Sequence, residues 1–506
     1  MTVKRRVLKN AAMAIAQVVV IGLAFFVLFR FLLETIGIER VGIWSLVLAT
    51  TNVTRISELG FANSVLQFVS RYLAKGEPLR AARVIETAII TVAGFGGLAL
   101  FLLYPILEWA VARLIPPALL PEAIGLLPFT VGSLWCSMMA STVHSGLDGI
   151  QRTDLRSVVL MSSQLIFVGT VFYLVPANGL EGVAQAQLIQ SFWSLLVSWM
   201  VLKVSLDGLS IMPYRWSATV FREMFGYAAN FQVNGIAQLF FEPTTKALLS
   251  KWGTLSDVGY FEMASRMIMQ IRSLLVAANQ VMVPVITTQQ ERAPTHIPDT
   301  YKRCYDIMLY LSIPIFSFLF VVTPLISEAW IGRYEAVFVV FAFLLIASWA
   351  LNTTTVPAYL AFVGTGQLRW NTWSHLLMGV TNLLLGYILG YMMGSIGVVV
   401  GTCLAIVAGS VMTLLTFHAE HHVDLHGLVS RGSKGLALWC MSGVVGGLLL
   451  YYFLRDTLAL WTVAVLVCAI FGALVAPSMW HHRIRTFLLD GLAELCGLKK
   501  THQEKH

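Results

Sequence analysis

Charge is what this sequence has least of. Of its 506 residues only 12% are Asp, Glu, Lys or Arg, about half the roughly 25% of soluble domains, while 57% are hydrophobic. That balance excludes a soluble globular chain and leaves a polytopic membrane protein. Cysteine is also sparse. Cys136, Cys304, Cys403, Cys440, Cys468 and Cys496 are scattered, five of them in or beside apolar segments, which suits neither a disulfide framework nor a metal site. No nucleotide-binding glycine loop, zinc-protease helix or catalytic-triad spacing occurs, so the expectation is that the protein is not an enzyme. Long segments opposite the N-terminus are lacking too. The largest lies around Pro116–Pro121, which disfavours a lipid-linked glycosyltransferase or polymerase, because such enzymes hold acceptor and catalyst in an extracytoplasmic loop or domain.

What is present is a series of apolar runs. Lys4, Arg5, Arg6 and Lys9 precede a run from Ala11 to Leu33. This is longer than the roughly 7–15 residues of a signal-peptide core and has no small-residue cleavage site, so it reads as a spanning helix. The runs divide into fourteen spans: 10–33, 41–73, 82–112, 118–147, 154–175, 181–203, 220–250, 256–289, 303–326, 335–363, 370–391, 395–417, 434–454 and 458–478. An even number returns both termini to one side. Of the 34 Lys and Arg, five lie in loops opposite the N-terminus (Arg40, Arg113, Lys251, Arg333, Arg455), five lie within spans, and the rest sit on the N-terminal side. The positive-inside rule then places both termini in the cytoplasm, and the net charge of +8 reports topology rather than nucleic-acid binding.

The chain repeats itself. Gly37-Ile-Glu-Arg-Val-Gly42 recurs as Gly253-Thr-Leu-Ser-Asp-Val-Gly259, Gly149-Ile-Gln-Arg152 as Gly366-Gln-Leu-Arg369, and Gly179-Leu-Glu-Gly182 as Gly394-Ser-Ile-Gly397. The offsets stay between 215 and 217, and each match falls at the same helix end in its half. The expected architecture is all-α, with two parallel six-helix lobes (1–210 and 211–430), two additional helices (431–480) and a cytoplasmic tail (481–506). Six is even, so the lobes enter the membrane in the same sense and their pseudo-twofold axis runs along the membrane normal.

Polar residues interrupt the spans in a pattern. Asn230, Asn234, Gln238, Glu242 and Lys246 follow one another at steps of four, as do Glu262, Arg266 and Gln270, so each set forms one slowly winding stripe. At bilayer depth a cation costs on the order of 2.5–3.5 kcal/mol, which turns such stripes toward a bundle interior or a watered cavity. The repeat offsets relate Arg30 to Lys246 and Arg55 to Arg272. Two readings stand for four of the cations, because each has a carboxylate one turn away: Arg30 with Glu34, Arg55 with Glu58, Lys246 with Glu242, Arg266 with Glu262. They either pair structurally or meet an anionic substrate. Arg272 differs, since positions 268, 269, 275 and 276 are Ile, Met, Leu and Val, and it is the first candidate for an anion ligand. His418, His421, His422 and His426 read as a solvated loop cluster rather than a metal site. Asn371, Thr372, Asn382 and Thr402 read as interhelical hydrogen-bonding groups rather than a sodium site.

The N-terminal basic run, Gly37-x-Glu-x-x-Gly42 with Trp44, Glu58-Leu-Gly60 followed by Arg71-Tyr72, Gly149-x-Gln-Arg152, Gly179-x-Glu-Gly182 and the Trp330-x-Gly332 turn together resemble the polysaccharide flippases of the multidrug/oligosaccharidyl-lipid/polysaccharide exporter superfamily. The resemblance runs over essentially the whole chain. It implies a bacterial inner-membrane carrier, without cofactor, that moves an undecaprenyl-diphosphate-linked glycan to the outer leaflet as O-antigen and exopolysaccharide flippases do. The implied partners are the lipid-linked oligosaccharide, membrane lipid, and a polymerase or glycosyltransferase. Related lipid II flippases place arginines toward a central cavity on the early helices of each lobe, which Arg30, Arg55 and Arg272 match in helix position. Helices 13 and 14 are associated there with a groove for the lipid tail. The coupling ion, Na+ or H+, is left open, and so is a drug or metabolite antiporter on the same fold.

Overall fold

In a computed structural model of the chain, the residues described are 3–58, 60–226, 241–280, 282–292, 294–424 and 428–486. Among them the regular structure is entirely helical. Among the described residues nine helices are long and apolar enough to cross a membrane, beginning with α1 (Val3–Thr35), and they account for eleven of the fourteen expected spans. The helices Thr153–Ser205 and Arg369–Glu420 each contain two spans, folded back at Gly179 (φ 55°, ψ −132°) and Gly394 (φ 65°, ψ −145°). Only glycine adopts that conformation without large strain, and the two glycines hold equivalent places in the repeat. The second expected span is broken into α2 (Ile38–Asn52), a 3-10 turn (Val53–Glu58) and α3 (Phe61–Ala74). The eighth falls into Leu255–Asn279 and Met282–Arg292, and of the seventh the described parts are helical at 218–226 and Phe241–Trp252.

Local sequence sets these ends. Thr254 Oγ1 accepts from the Asp257 backbone N–H at 3.1 Å, and the Asp257 carboxylate accepts from the Thr254 N–H at 2.8 Å. This reciprocal box fixes the start of the helix at Leu255. A π-turn at Val92–Gly96 separates Pro78–Thr91 from Gly97–Leu114, and the Trp135 indole donates to the Ala93 carbonyl there at 3.0 Å. Backbone irregularity at membrane depth persists only with such a partner.

The chain divides into two compact units. One comprises Lys9–Glu262 with Gly390–Val398, the other Met263–Leu389 and Val399–His506 with Met1–Leu8. The core of the first packs α3 and Pro78–Thr91 against Leu120–Gly149 through Val65, Val69, Ile85, Met138, Val143 and Leu147. Its loops meet end to end, since Arg40 pairs with Glu122 at 2.9 Å, joining two segments that the charge distribution places on one side. In the second unit the final helices, Arg431–Leu454 and Leu460–Trp480, pack on Ile297–Ile331. Gly447 lies against Val321, and the Tyr451 hydroxyl donates to Glu328.

His418 departs from the solvated cluster expected. It is buried, with Nε2 2.8 Å from the Tyr301 hydroxyl and Nδ1 3.0 Å from the Val423 carbonyl. The helical fold-back continues to Glu420, so this imidazole lies in a core rather than a loop. His421 stacks on Phe417, and His426 lies outside the described residues. Thr402 donates to Asn382 at 2.9 Å, an interhelical hydrogen bond of the kind expected, and Asn371 donates to the Tyr359 carbonyl at 3.2 Å.

Candidate functional site

The sequence-derived cations sort into three environments. Arg30, near the end of the first helix, meets Glu34 at 3.0 Å with both side chains more than half exposed. A pair so exposed contributes little.

Lys246 is the opposite case. It is 1% exposed and lies 2.5 Å from Glu242 and 2.6 Å from Glu262, itself 1% exposed. Glu262 was expected to turn to Arg266 on its own helix. It also reaches Lys246 and accepts from the Ser45 hydroxyl at 2.9 Å, because α2 crosses the helix beginning at Leu255 closely enough to bring Ser45 to it. The crossing is built on glycine. A Cβ at Gly42 would stand 1.8 Å from the Leu255 carbonyl oxygen, and one at Gly259 would stand 2.7 Å from that of Ile38. Gly42 with Gly259, Ile38 with Leu255 and Ser45 with Glu262 are all repeat mates at the offset of 217, so a local twofold axis passes through this contact. Arg266 is exposed and Gln270 half-buried on the continuation of the helix. Asn230, Asn234 and Gln238 lie outside the described residues, as does the Glu58 side chain.

Arg272 sits in the second unit with a neutral partner. Its Nε and Nη2 donate to Asn352 Oδ1 at 3.2 and 2.8 Å, and its guanidinium stacks over the Trp349 ring at 4.9 Å. Asn352 donates onward to Ser410 at 2.8 Å. Among the described residues no carboxylate forms an ion pair with Arg272. The arrangement holds the planar head still without cancelling its charge.

Arg55, the repeat mate of Arg272, stands in the 3-10 turn between α2 and α3 and borders a cavity of about 380 Å³ inside the first unit. Sequence reasoning missed the rest of that cavity. Ser137, Ser141 and Ser145 line it at steps of four, with His144 and Asp148 beside them. The signal was the same four-residue step that marked the other stripes, carried by hydroxyls instead of charges. Ser45, Asn352 and Trp349 were also missed, since nothing in the sequence spacing marks a partner on a distant helix.

Residues 97–334 match the family described as polysaccharide biosynthesis protein. No curated protein is close enough in sequence to match. Among solved structures, an inward-facing multidrug resistance MATE family transporter of the MOP superfamily is 12% identical and superposes with a TM-score of 0.69, covering 80% of this chain and 94% of its own. The lipid II flippase MurJ in an inward closed conformation is 14% identical with a TM-score of 0.66, covering 92% of this chain and 98% of its own. A Vibrio cholerae MATE transporter, VcmN, is 14% identical with a TM-score of 0.61, covering 83% and 98%. These findings bear out the resemblance drawn from the motifs. The chain is a polytopic helical membrane protein with the fold of the multidrug and lipid II exporters, and its central segment carries the sequence pattern of the polysaccharide biosynthesis family.

Proposed function

We propose that this protein is a flippase that moves an undecaprenyl-diphosphate-linked oligosaccharide from the inner to the outer leaflet of the bacterial cytoplasmic membrane, by alternating access, for surface polysaccharide biosynthesis. The observation that carries this reading is Arg272, a cation at membrane depth oriented by an amide and an indole rather than neutralised by a carboxylate. A diphosphate offers the paired oxygens that a guanidinium binds bidentately, and the prenyl chain can stay in lipid. Arg55 adds cationic character at the equivalent place of the other repeat. Arg30, Lys246 and Arg266 are secondary, because Glu34, Glu242 and Glu262 stand beside them. Outward movement of about two negative charges is favoured by roughly 4–5 kcal/mol per 100 mV of inside-negative potential, and a Na+ or H+ gradient would return the empty carrier.

The competing reading, a drug or metabolite antiporter, draws its support from the multidrug resistance transporter on which the chain superposes. Deleting the gene separates the two. Flippase function predicts lipid-diphosphate-linked oligosaccharide stranded in the inner leaflet, with tolerance to cationic dyes unchanged. Normal surface glycan together with new dye sensitivity would make the antiporter reading the right one.

A further inference from the structure

The segment that joins the two repeats, residues 206–217, lies outside the expected spans and within the first unit, and its backbone is irregular. That backbone is nevertheless bonded to groups on two spans. The Glu86 carboxylate, buried on the helix Pro78–Thr91, accepts from the Ser210 N–H through one oxygen and from the Arg215 N–H through the other, both at 3.0 Å. The Trp199 indole donates to the Ile211 carbonyl at 2.6 Å, and the Arg215 guanidinium donates to the Gly208 carbonyl at 3.2 Å. At the end of the segment the Trp216 indole donates to Thr91 Oγ1 at 3.1 Å. Irregular backbone collects protein partners in this way where water does not serve it.

Helix length gives the depth of these contacts. A crossing of the hydrocarbon core takes about 20 helical residues. Counted from the hinge at Gly179 they end near Trp199, and counted back from Arg113, on the same side of the membrane as that hinge, they end near Ala93. Trp199 and Thr91 are the groups that hold the segment at Ile211 and Trp216. Two helices thus place it at one level, the boundary between hydrocarbon and headgroups on the N-terminal side.

The side chains suit that level. Ile189, Phe192, Leu196, Met200 and Val204 are exposed at steps of three and four, the apolar stripe that this span turns to lipid. Trp199 lies one turn beyond Leu196 on that face and carries Ile211. Ile211 is 81% and Met212 76% exposed, and Tyr214 is exposed beside them. Trp199, Tyr214 and Trp216 are of the types that settle where hydrocarbon meets headgroups, because each has an apolar ring and one polar atom. We infer that residues 210–216 are a membrane-insertion element. Ile211 and Met212 enter the acyl region of the leaflet on the N-terminal side, and Glu86 fixes their depth by gripping the backbone on both sides of the tip. This goes beyond the flippase reading and does not depend on it.

The test is depth-dependent fluorescence quenching. Full-length protein with its six cysteines replaced by alanine carries one NBD-labelled cysteine, Met212→Cys, in phosphatidylcholine and phosphatidylglycerol vesicles. The quenchers are a lipid with a nitroxide at a shallow acyl position and iodide present on both sides. Val204→Cys serves as the lipid-facing standard and Lys75→Cys as the aqueous one. Expected at Met212 are nitroxide quenching at least half that at Val204 and iodide quenching at least fivefold weaker than at Lys75. Adding Glu86→Gln, which leaves one acceptor oxygen, should lower nitroxide quenching at Met212 at least twofold with the Val204 value unchanged. Glu86→Asp, which keeps both oxygens, should retain more of it. Iodide quenching equal to that at Lys75, with no effect of nitroxide, makes the segment an aqueous loop and overturns the inference. Shielding from both quenchers means that protein covers the tip and overturns the lipid assignment. Unchanged nitroxide quenching in Glu86→Gln overturns the role given to the carboxylate.

Discussion

At the scale of single residues, the partner of each buried charge decides what it can do. Arg272 keeps its charge because Asn352 and Trp349 orient it without neutralising it. Arg272→Ala is therefore expected to reduce surface glycan at least tenfold while the protein still accumulates in the membrane, and Arg272→Lys should retain part of the export, since charge survives without the bidentate fork. Quantifying surface polysaccharide in a deletion strain carrying each variant checks this, and normal export by Arg272→Ala would remove Arg272 from the mechanism. Lys246 answers to a different rule. Lys246→Met takes the ammonium away from the buried Glu262 carboxylate, and breaking such a pair costs about 3–5 kcal/mol. The variant should melt at clearly lower temperature in detergent, and adding Glu262→Gln should recover most of the loss. Equal melting of Lys246→Met and the native protein would show that this pair stabilises nothing.

Among the helices, the glycine crossing of α2 is the tightest feature. Gly42→Ala has no room, with its methyl carbon 1.8 Å from the Leu255 carbonyl oxygen, whereas nothing lies within 4 Å of a Cβ at Gly435. Gly42→Ala should lower both melting temperature and export, and Gly435→Ala should leave both within error. Span positions and helix ends were legible in the sequence because each depends on local chemistry: apolar run length and the glycine motifs that recur at equivalent helix ends. Partners were legible only one turn away on the same helix. The pairing of Arg30 with Glu34 could be read from spacing, but that of Glu262 with Ser45 and of Arg272 with Asn352 could not, because a helix crossing brings together residues whose sequence separation carries no signal. The serine stripe of Leu120–Gly149 was overlooked for another reason, since hydroxyls bonding back to their own helix are common in apolar helices and attract no attention.

For the whole molecule, the charge distribution makes a prediction about sidedness. Single cysteines placed at Arg40, Pro121 or Arg333 should react with an impermeant maleimide in intact cells, and cysteines at Lys75 or Lys302 only after the membrane is opened. Labelling of the second set in intact cells would invert the topology. The contact at Ser45 and Glu262 reaches further, because repeat mates that touch lie where a residue would meet its own copy in a dimer of a single repeat. A glutamate there would have faced a glutamate, two like charges buried together. Serine opposite glutamate is an arrangement that no symmetric pair of identical subunits can make. Joining the two repeats in one polypeptide is what allows the two faces of this contact to differ.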